Sequence, residues 1–126
     1  MQHLNIDIET FSSAPIAKTG LYRYAQSPDF AILLLGYSLD GGPVRVVDLA
    51  AGERLPREVL RLMMDPSCVK HAWNAAFEWY CLSRHFRLTD QSRDQWAAQW
   101  QDTMLHLSLI HIYVAVKDLY ALQTLF

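Results

Sequence analysis

Residues 3–9 alternate between polar and apolar side chains, and this pattern constrains the chain to begin its fold with a β-strand. In the strand predicted over residues 3–9, the apolar residues fall on one face and the polar residues on the other, which carries Asp7 and Glu9. Two close carboxylates repel each other and are costly to bury. Mg²⁺ relieves both costs because it prefers carboxylate oxygens. The alternative is a sheet with one solvated face, on which both acids are simply exposed.

Length and composition indicate a globular chain rather than a disordered or membrane-spanning one. The 126 residues correspond to one domain or part of one, with 52% hydrophobic and 19% charged residues. A net charge of −2 argues against a strongly basic nucleic-acid-coating protein, but it does not exclude a nuclease with acids at its centre. The longest apolar run, residues 30–35, is too short to cross a bilayer, so we expect no membrane contact. Cys68 and Cys81 have no metal-ligand spacing, which predicts reduced, buried cysteines of a cytosolic protein.

The remaining patterns predict a mixed sheet covered by helices. Asp40-Gly41-Gly42-Pro43 predicts a tight turn between two strands, and Asn74 is the expected N-cap of a helix. Trp96 and Trp100, four positions apart, predict one helix face. In chain order we predict strand 3–9, loop 10–19, a helical turn at 20–25, strands 30–40 and 44–48, helix 56–64, strand 69–73, helix 75–86, loop 88–93 and a last helix through 105.

A second group of polar residues that could take part in catalysis follows the predicted strand at residues 69–73. Glu78 lies one helical turn after Asn74 and on nearly the same face. If this strand neighbours strand one, Glu78 faces Asp7 and Glu9, and three carboxylates meet at one end of the sheet. Such a group satisfies the requirement for two metal ions about 4 Å apart, one to activate water and one to stabilise the leaving oxygen.

These segments resemble a known family. Asp7-Ile8-Glu9-Thr10, Asn74-x-x-Phe77-Glu78 and Asp102-Thr103-Met104 occur in the order typical of the DEDD (DnaQ-like) 3′–5′ exonuclease superfamily. Over residues 3–106 the chain is most similar to the proofreading exonuclease domain at the N-terminal end of phage-type family A DNA polymerases. The resemblance implies a ribonuclease-H-like α/β fold: a mixed sheet with an antiparallel hairpin after strand one, then a parallel strand, flanked by helices.

The resemblance also implies an activity and a set of site residues. It implies hydrolytic removal of nucleotides from a single-stranded DNA 3′ end with two Mg²⁺ or Mn²⁺ ions, in a bacterial or phage-infected cytoplasm. Asp7, Glu9 and Glu78 match the metal-binding catalytic acids. Thr10 and Phe11 would lie against the terminal nucleotide, and Asn74 near the scissile strand. A polymerase domain normally follows on the same chain.

The sequence departs from the family in two respects. The second-motif acid is usually Asp, and the longer Glu78 would shift a bound metal. The third motif, Tyr or His followed four positions later by Asp, has no match after Glu78 in this sequence, because Tyr113 precedes Asp118 by five. We therefore expect residues 1–106 to form a C-terminally truncated exonuclease domain with weak or no activity on its own.

The tail after His106 does not follow the family. Residues 107–112, Leu-Ser-Leu-Ile-His-Ile, resemble the translation of a transposon end used in preparing sequencing libraries. Our hypothesis is that residues 107–126 are a sequencing artefact rather than the natural continuation. The alternative is an ordinary apolar helix or strand.

Several alternatives stay open. The same fold could trim RNA, or it could serve as a non-catalytic module that binds nucleic acid or packs against a polymerase. Arg84, His85 and Arg87 form a small basic cluster, for which we favour a solvated helix end over a phosphate contact, since cations suit helix C-termini. Asp102 is interpreted as a helix-start cap rather than a catalytic acid.

Overall fold

The computed structural model describes residues 2–103, which form a mixed α/β structure. Within this range five strands lie in the order β3-β2-β1-β4-β5 and four helices flank them. In chain order the elements are β1 (Gln2–Phe11), α1 (Ile16–Gln26), β2 (Ala31–Leu39), β3 (Arg45–Asp48), α2 (Arg57–Met64), β4 (Cys68–Ala72), α3 (Ala75–His85), α4 (Asp90–Ala97) and β5 (Trp100–Asp102).

The alternating strand predicted at the start of the chain lies in the centre of the sheet. β1 pairs antiparallel with β2 and parallel with β4, and β2 pairs antiparallel with β3. The expected hairpin and the expected parallel strand are both present. This arrangement confirms the predicted ribonuclease-H-like fold class, a mixed sheet flanked by helices.

The core lies between the apolar face of the sheet and the helices. Leu4, Ile6 and Ile8 of β1 are fully or almost fully buried in one cluster with residues of α2 and α3. Burying an aliphatic side chain of this kind stabilises the fold by roughly 1.5–3 kcal/mol. Cys68 and Cys81 also belong to this cluster, both with free thiols, as the sequence predicts.

The same layer contains a fully buried lysine. Lys70 of β4 donates hydrogen bonds from Nζ to the backbone oxygen of Asp65, at 2.7 Å, and to Gln99 Oε1, at 2.6 Å. Both acceptors are uncharged, so burial lowers the pKa of Lys70 below its usual value. The ammonium thus links the end of α2 to the segment before β5.

Three predictions about local structure are wrong: the loop through residue 19, the loop at 88–93, and the single helix that was expected to carry Trp96 and Trp100. Residues 16–26 form α1, which bends at Gly20 (φ +83°), so the loop predicted through residue 19 is wrong and the helical turn predicted at 20–25 is part of a longer helix. Residues 88–93, expected as loop, contain the start of α4, capped by Thr89, whose hydroxyl accepts from the Ser92 N–H. The start of α1 was predicted as loop because residues 10–19 are rich in Ser, Ala and Pro, whereas packing of α1 against α3 overrides that local preference.

The tryptophan pair does not lie on one helix. Trp96 belongs to α4 and Trp100 begins β5, which pairs parallel with β4. Their rings meet edge to face at 5.3 Å, and Trp96 Nε1 donates to the backbone oxygen of Met63. Asp102 accordingly lies in a strand and not at the start of a predicted helix.

Two expectations remain, one about membrane contact and one about the residues after His106. Among the described residues, no helix is long and apolar enough to cross a membrane. The predictions for residues 107–126, including the artefact hypothesis and the rejected Tyr113–Asp118 pair, lie outside the described residues.

Candidate active site

The polar face of β1 contains the two acids of the first motif. Asp7 and Glu9 are each only 7% exposed, so the prediction of an acidic strand face holds and the solvated-face alternative is wrong. Gly36 of β2 is the partner of Asp7 and has no side chain, so β2 places no side chain beside this carboxylate. Two carboxylates two residues apart on a buried strand face repel each other strongly.

The sheet is irregular directly after these acids. The register of β1 against β2 shifts between Glu9 and Thr10, so that Glu9 pairs with Leu34 and Thr10 with Ile32. A β-bulge bends the strand and redirects the side chains that follow it. The bulge therefore separates the buried acids from the exposed end of β1.

The third predicted acid lies at the same edge of the sheet. Because β1 and β4 run parallel, the carboxyl end of β1 and the start of α3, just after β4, lie at one edge. Glu78 is in the first turn of α3 and is 4% exposed, and α3 contacts β1. Burial raises the pKa of the neighbouring Cys81 thiol to about 12, and the negative charge of Glu78 adds to this shift.

The carboxylates suit magnesium in their chemistry, since hard divalent cations prefer carboxylate oxygens. Within residues 2–103, however, no group of three or more histidine, cysteine, aspartate or glutamate side chains is arranged to hold a metal ion. Asp7 and Glu9 are together on one strand face, and Glu78 approaches from a separate helix. A two-metal centre built on these three residues stays a prediction.

The predicted substrate-binding residues lie around this edge. Thr10 and Tyr24 share a hydrogen bond of 2.8 Å between their hydroxyls, which attaches the end of β1 to α1. Phe11, the last residue of β1, is 51% exposed, as required of a residue that could stack on a base. Asn74 is the N-cap residue of α3, as predicted, and is exposed, but within the described part of the chain its side chain forms no capping hydrogen bond.

Sequence reasoning missed several residues near this site. Tyr24 positions Thr10 and also packs against Phe77 and Phe30 with ring centroids 6.3 and 6.0 Å apart. The sequence placed Tyr24 in a predicted helical turn at 20–25, but nothing local to that turn indicated a contact with Thr10. His71 of β4 contacts His3 across the β1–β4 pair, with Nδ1 of His3 lying 2.8 Å from Nε2 of His71.

The fold and these side chains together define an α/β protein whose mixed, ribonuclease-H-like sheet has an acidic central strand. A comparison with known proteins identified a relative of this chain. The chain is 44% identical over 110 residues to the DNA polymerase of Bacillus phage SP02. The match covers 87% of this chain and 16% of that polymerase, so the chain spans about a sixth of its relative's length. The chain is therefore related to a phage DNA polymerase.

Two further comparisons gave no match. No family model matches the chain. No solved structure matches it either.

Proposed function

We propose that this chain is part of a proofreading-type 3′–5′ exonuclease domain of a phage-like DNA polymerase. The observation that carries the proposal is the buried pair of acids, Asp7 and Glu9, on one face of the central strand of a ribonuclease-H-like sheet. The similarity to a phage DNA polymerase supports the same function, because proofreading acts on the strand that a polymerase extends.

The acids, the residues at the end of β1 and Asn74 would each have a separate role. Asp7, Glu9 and Glu78 would hold Mg²⁺ or Mn²⁺, which when bound activates water and stabilises the leaving oxygen of the phosphodiester. Thr10, held by Tyr24, and the exposed ring of Phe11 would position the terminal nucleotide at the end of β1. Asn74 presents an exposed side-chain amide at the start of α3, where it would contact the strand to be cleaved.

The proposal is tested by nucleotide release from 5′-labelled single-stranded DNA in the presence of Mn²⁺. We expect slow release by the 126-residue chain, abolished by Asp7→Asn and by Glu9→Gln, which remove charge and keep shape. Glu58→Gln is the matched control, because Glu58 is an exposed acid on α2. Release that is equal in the parent and both site variants would refute the role of these acids.

A second measurement does not depend on activity. Mn²⁺ binding, followed by the loss of the free-ion paramagnetic resonance signal, should weaken in the Asp7→Asn variant and not in the Glu58→Gln variant. A fully retained affinity after Asp7→Asn would show that the acidic strand face does not bind the metal. Competition between labelled DNA and RNA oligonucleotides of one sequence distinguishes a DNA exonuclease from the RNA-trimming alternative.

A further inference from the structure

A cavity lined by arginines lies at the far end of α3 from Glu78. Its volume is about 570 Å³, and the end of α1, the second half of α3, the α3–α4 connection and α4 surround it. Arg84, Arg87 and Arg93 line it together with the acid Asp90, so the formal charge of the lining is positive. We call this cavity the arginine pocket.

Two polar atoms in the arginine pocket lack a partner. Arg84 Nε and the hydroxyl of Tyr80 are buried, and neither forms a hydrogen bond within the part of the chain that the structure describes. A buried donor left unsatisfied is costly, and more so when it carries charge. Side-chain adjustment that turns these donors toward an anion in the cavity would relieve this cost, and Arg84 can then present its Nε and a terminal nitrogen together, the fork that matches a phosphate.

Asp90, the acid that lines the arginine pocket, does not cancel the positive charge of the arginines. The Asp90 side chain is 92% exposed, and its Oδ1 lies 3.4 Å from Arg93 Nη1. An ion pair so exposed to solvent is weak. The Arg93 guanidinium also lies over the Tyr80 ring, 5.4 Å from its centroid, so the ring fixes the cation at the cavity wall.

Arg87 occupies a position that normally favours glycine. The Arg87 N–H donates to Arg84 O and the Leu88 N–H to Ser83 O, which is the Schellman pattern at a helix end. Arg87 is the residue after the C-cap, in the left-handed region at φ +56°. Strained backbone often accompanies function, so this strain is in keeping with a role for the arginine side chain at the cavity.

A second cavity, of about 240 Å³, adjoins the arginine pocket. Arg84 and Arg87 line both cavities, and the second is also lined by Phe30 and His85. One isolated anion would need only one cavity. Two cavities on either side of the same arginines, with rings beside them, favour an extended chain of phosphates and bases.

We propose that the arginine pocket binds a phosphate group of a single-stranded nucleic acid. Arg84 lies six residues after Glu78, about 9 Å along the axis of α3 at the usual helical rise. Six residues also turn the helix by about 240°, so a strand that reaches both the acidic face and the pocket has to pass around α3. The choice of a nucleic-acid strand as the source of the phosphate rests on the proposed function, whereas the phosphate site itself does not.

The test is binding of a fluorescein-labelled oligothymidylate, followed by anisotropy, to the 126-residue chain in EDTA, where cleavage does not occur. We expect Arg84→Gln and Arg87→Gly each to weaken binding by about tenfold, since each removes charge-assisted hydrogen bonds. Each should also reduce the slope of log K against log salt by about 0.7. Arg57→Gln, which removes an exposed arginine of α2, is the matched control and should change neither quantity beyond a small general effect.

A second readout reports on the cavity itself. In protein labelled with ¹⁵N-arginine, addition of inorganic phosphate should shift the Nε–H resonance of Arg84, and Arg87→Gly should weaken this titration. If the oligonucleotide binds the Arg84 and Arg87 variants as tightly as the parent, the proposal is overturned. If inorganic phosphate or thymidine monophosphate binds as tightly as the oligonucleotide, with the same dependence on both arginines, the choice of a strand is overturned.

The proposal can fail separately from the exonuclease function. Asp7→Asn should abolish nucleotide release, a readout that reports on the proposed function and not on the pocket. Arginine-dependent binding without any Asp7-dependent release would support the pocket while refuting the proposed function.

Discussion

Replacing Arg87 by glycine should stabilise the protein even though it removes a charged side chain. Arg87 has a left-handed backbone, φ +56°, at the end of α3. This conformation costs an L-residue with a Cβ roughly 1–2 kcal/mol. Glycine avoids that cost but loses about 0.5–1 kcal/mol more chain entropy on folding. We therefore expect Arg87→Gly to raise the free energy of unfolding by about 0.5–1 kcal/mol.

The assay is urea unfolding, followed by circular dichroism, of the parent, Arg87→Gly and Arg87→Ala. The alanine variant removes the same charge but keeps the Cβ and the backbone strain, so we expect its midpoint to stay near that of the parent. The glycine variant should have a higher midpoint at unchanged m-value, which identifies a change in stability rather than in exposed surface. Its melting temperature should rise by about 2–4 °C for a chain of this size.

A second left-handed residue provides an internal contrast. Asp40 has φ +51°, but its Oδ1 also accepts a hydrogen bond of 2.7 Å from the His3 N–H. Asp40→Gly relieves similar strain and loses that bond, which contributes about 1 kcal/mol, so the two effects offset each other. The reasoning is refuted if Arg87→Gly is no more stable than Arg87→Ala, or if Asp40→Gly stabilises as much as Arg87→Gly does.

Two further predictions follow from buried titratable groups. Burial lowers the pKa of Lys70 below its ordinary value of 10.5. At a pH between these two values the unfolded chain binds more protons than the folded chain. The free energy of unfolding therefore rises with pH in this window. Lys70→Met should remove this contribution, and parallel pH profiles of the urea midpoints of parent and variant would contradict the argument. Cys81, with its pKa raised to about 12, should react with iodoacetamide at about pH 8 only on unfolding. Mass spectrometry of modified peptides with and without urea checks this, and equal rates in both conditions would show that the thiol is accessible in the native state.

Much of the architecture around the acids could be predicted from the sequence alone. The period of two at residues 3–9 placed Asp7 and Glu9 on one face of a strand, and the structure buries that face. The hairpin and α3 were also predicted within a few residues, because turn chemistry and helical periodicity are local properties of the chain. Whether the acidic face would be solvated or buried could not be predicted locally, since burial depends on what packs over it.

Tertiary packing decided the features that the local pattern misrepresented. The spacing of Trp96 and Trp100 is typical of one helix face, yet the chain leaves α4 and pairs as β5 along β4. A three-residue strand has little propensity of its own, so its existence depends on the strand beside it. The same reason explains α1, whose helix bends at Gly20 and packs on α3.

The arginine pocket shows most clearly which features the chain specifies locally and which depend on tertiary packing. The sequence by itself determined which residues carry charge and that Arg84 and Arg87 follow the helix of Glu78. It favoured a solvated helix end for them, because cations suit helix C-termini. Only the tertiary structure brought Arg93 and Tyr80 to the same cavity, since α4 must fold and pack against α3 before those side chains can meet. Periodicity along a chain specifies the faces of single elements, whereas a cavity between elements exists only once their packing is complete.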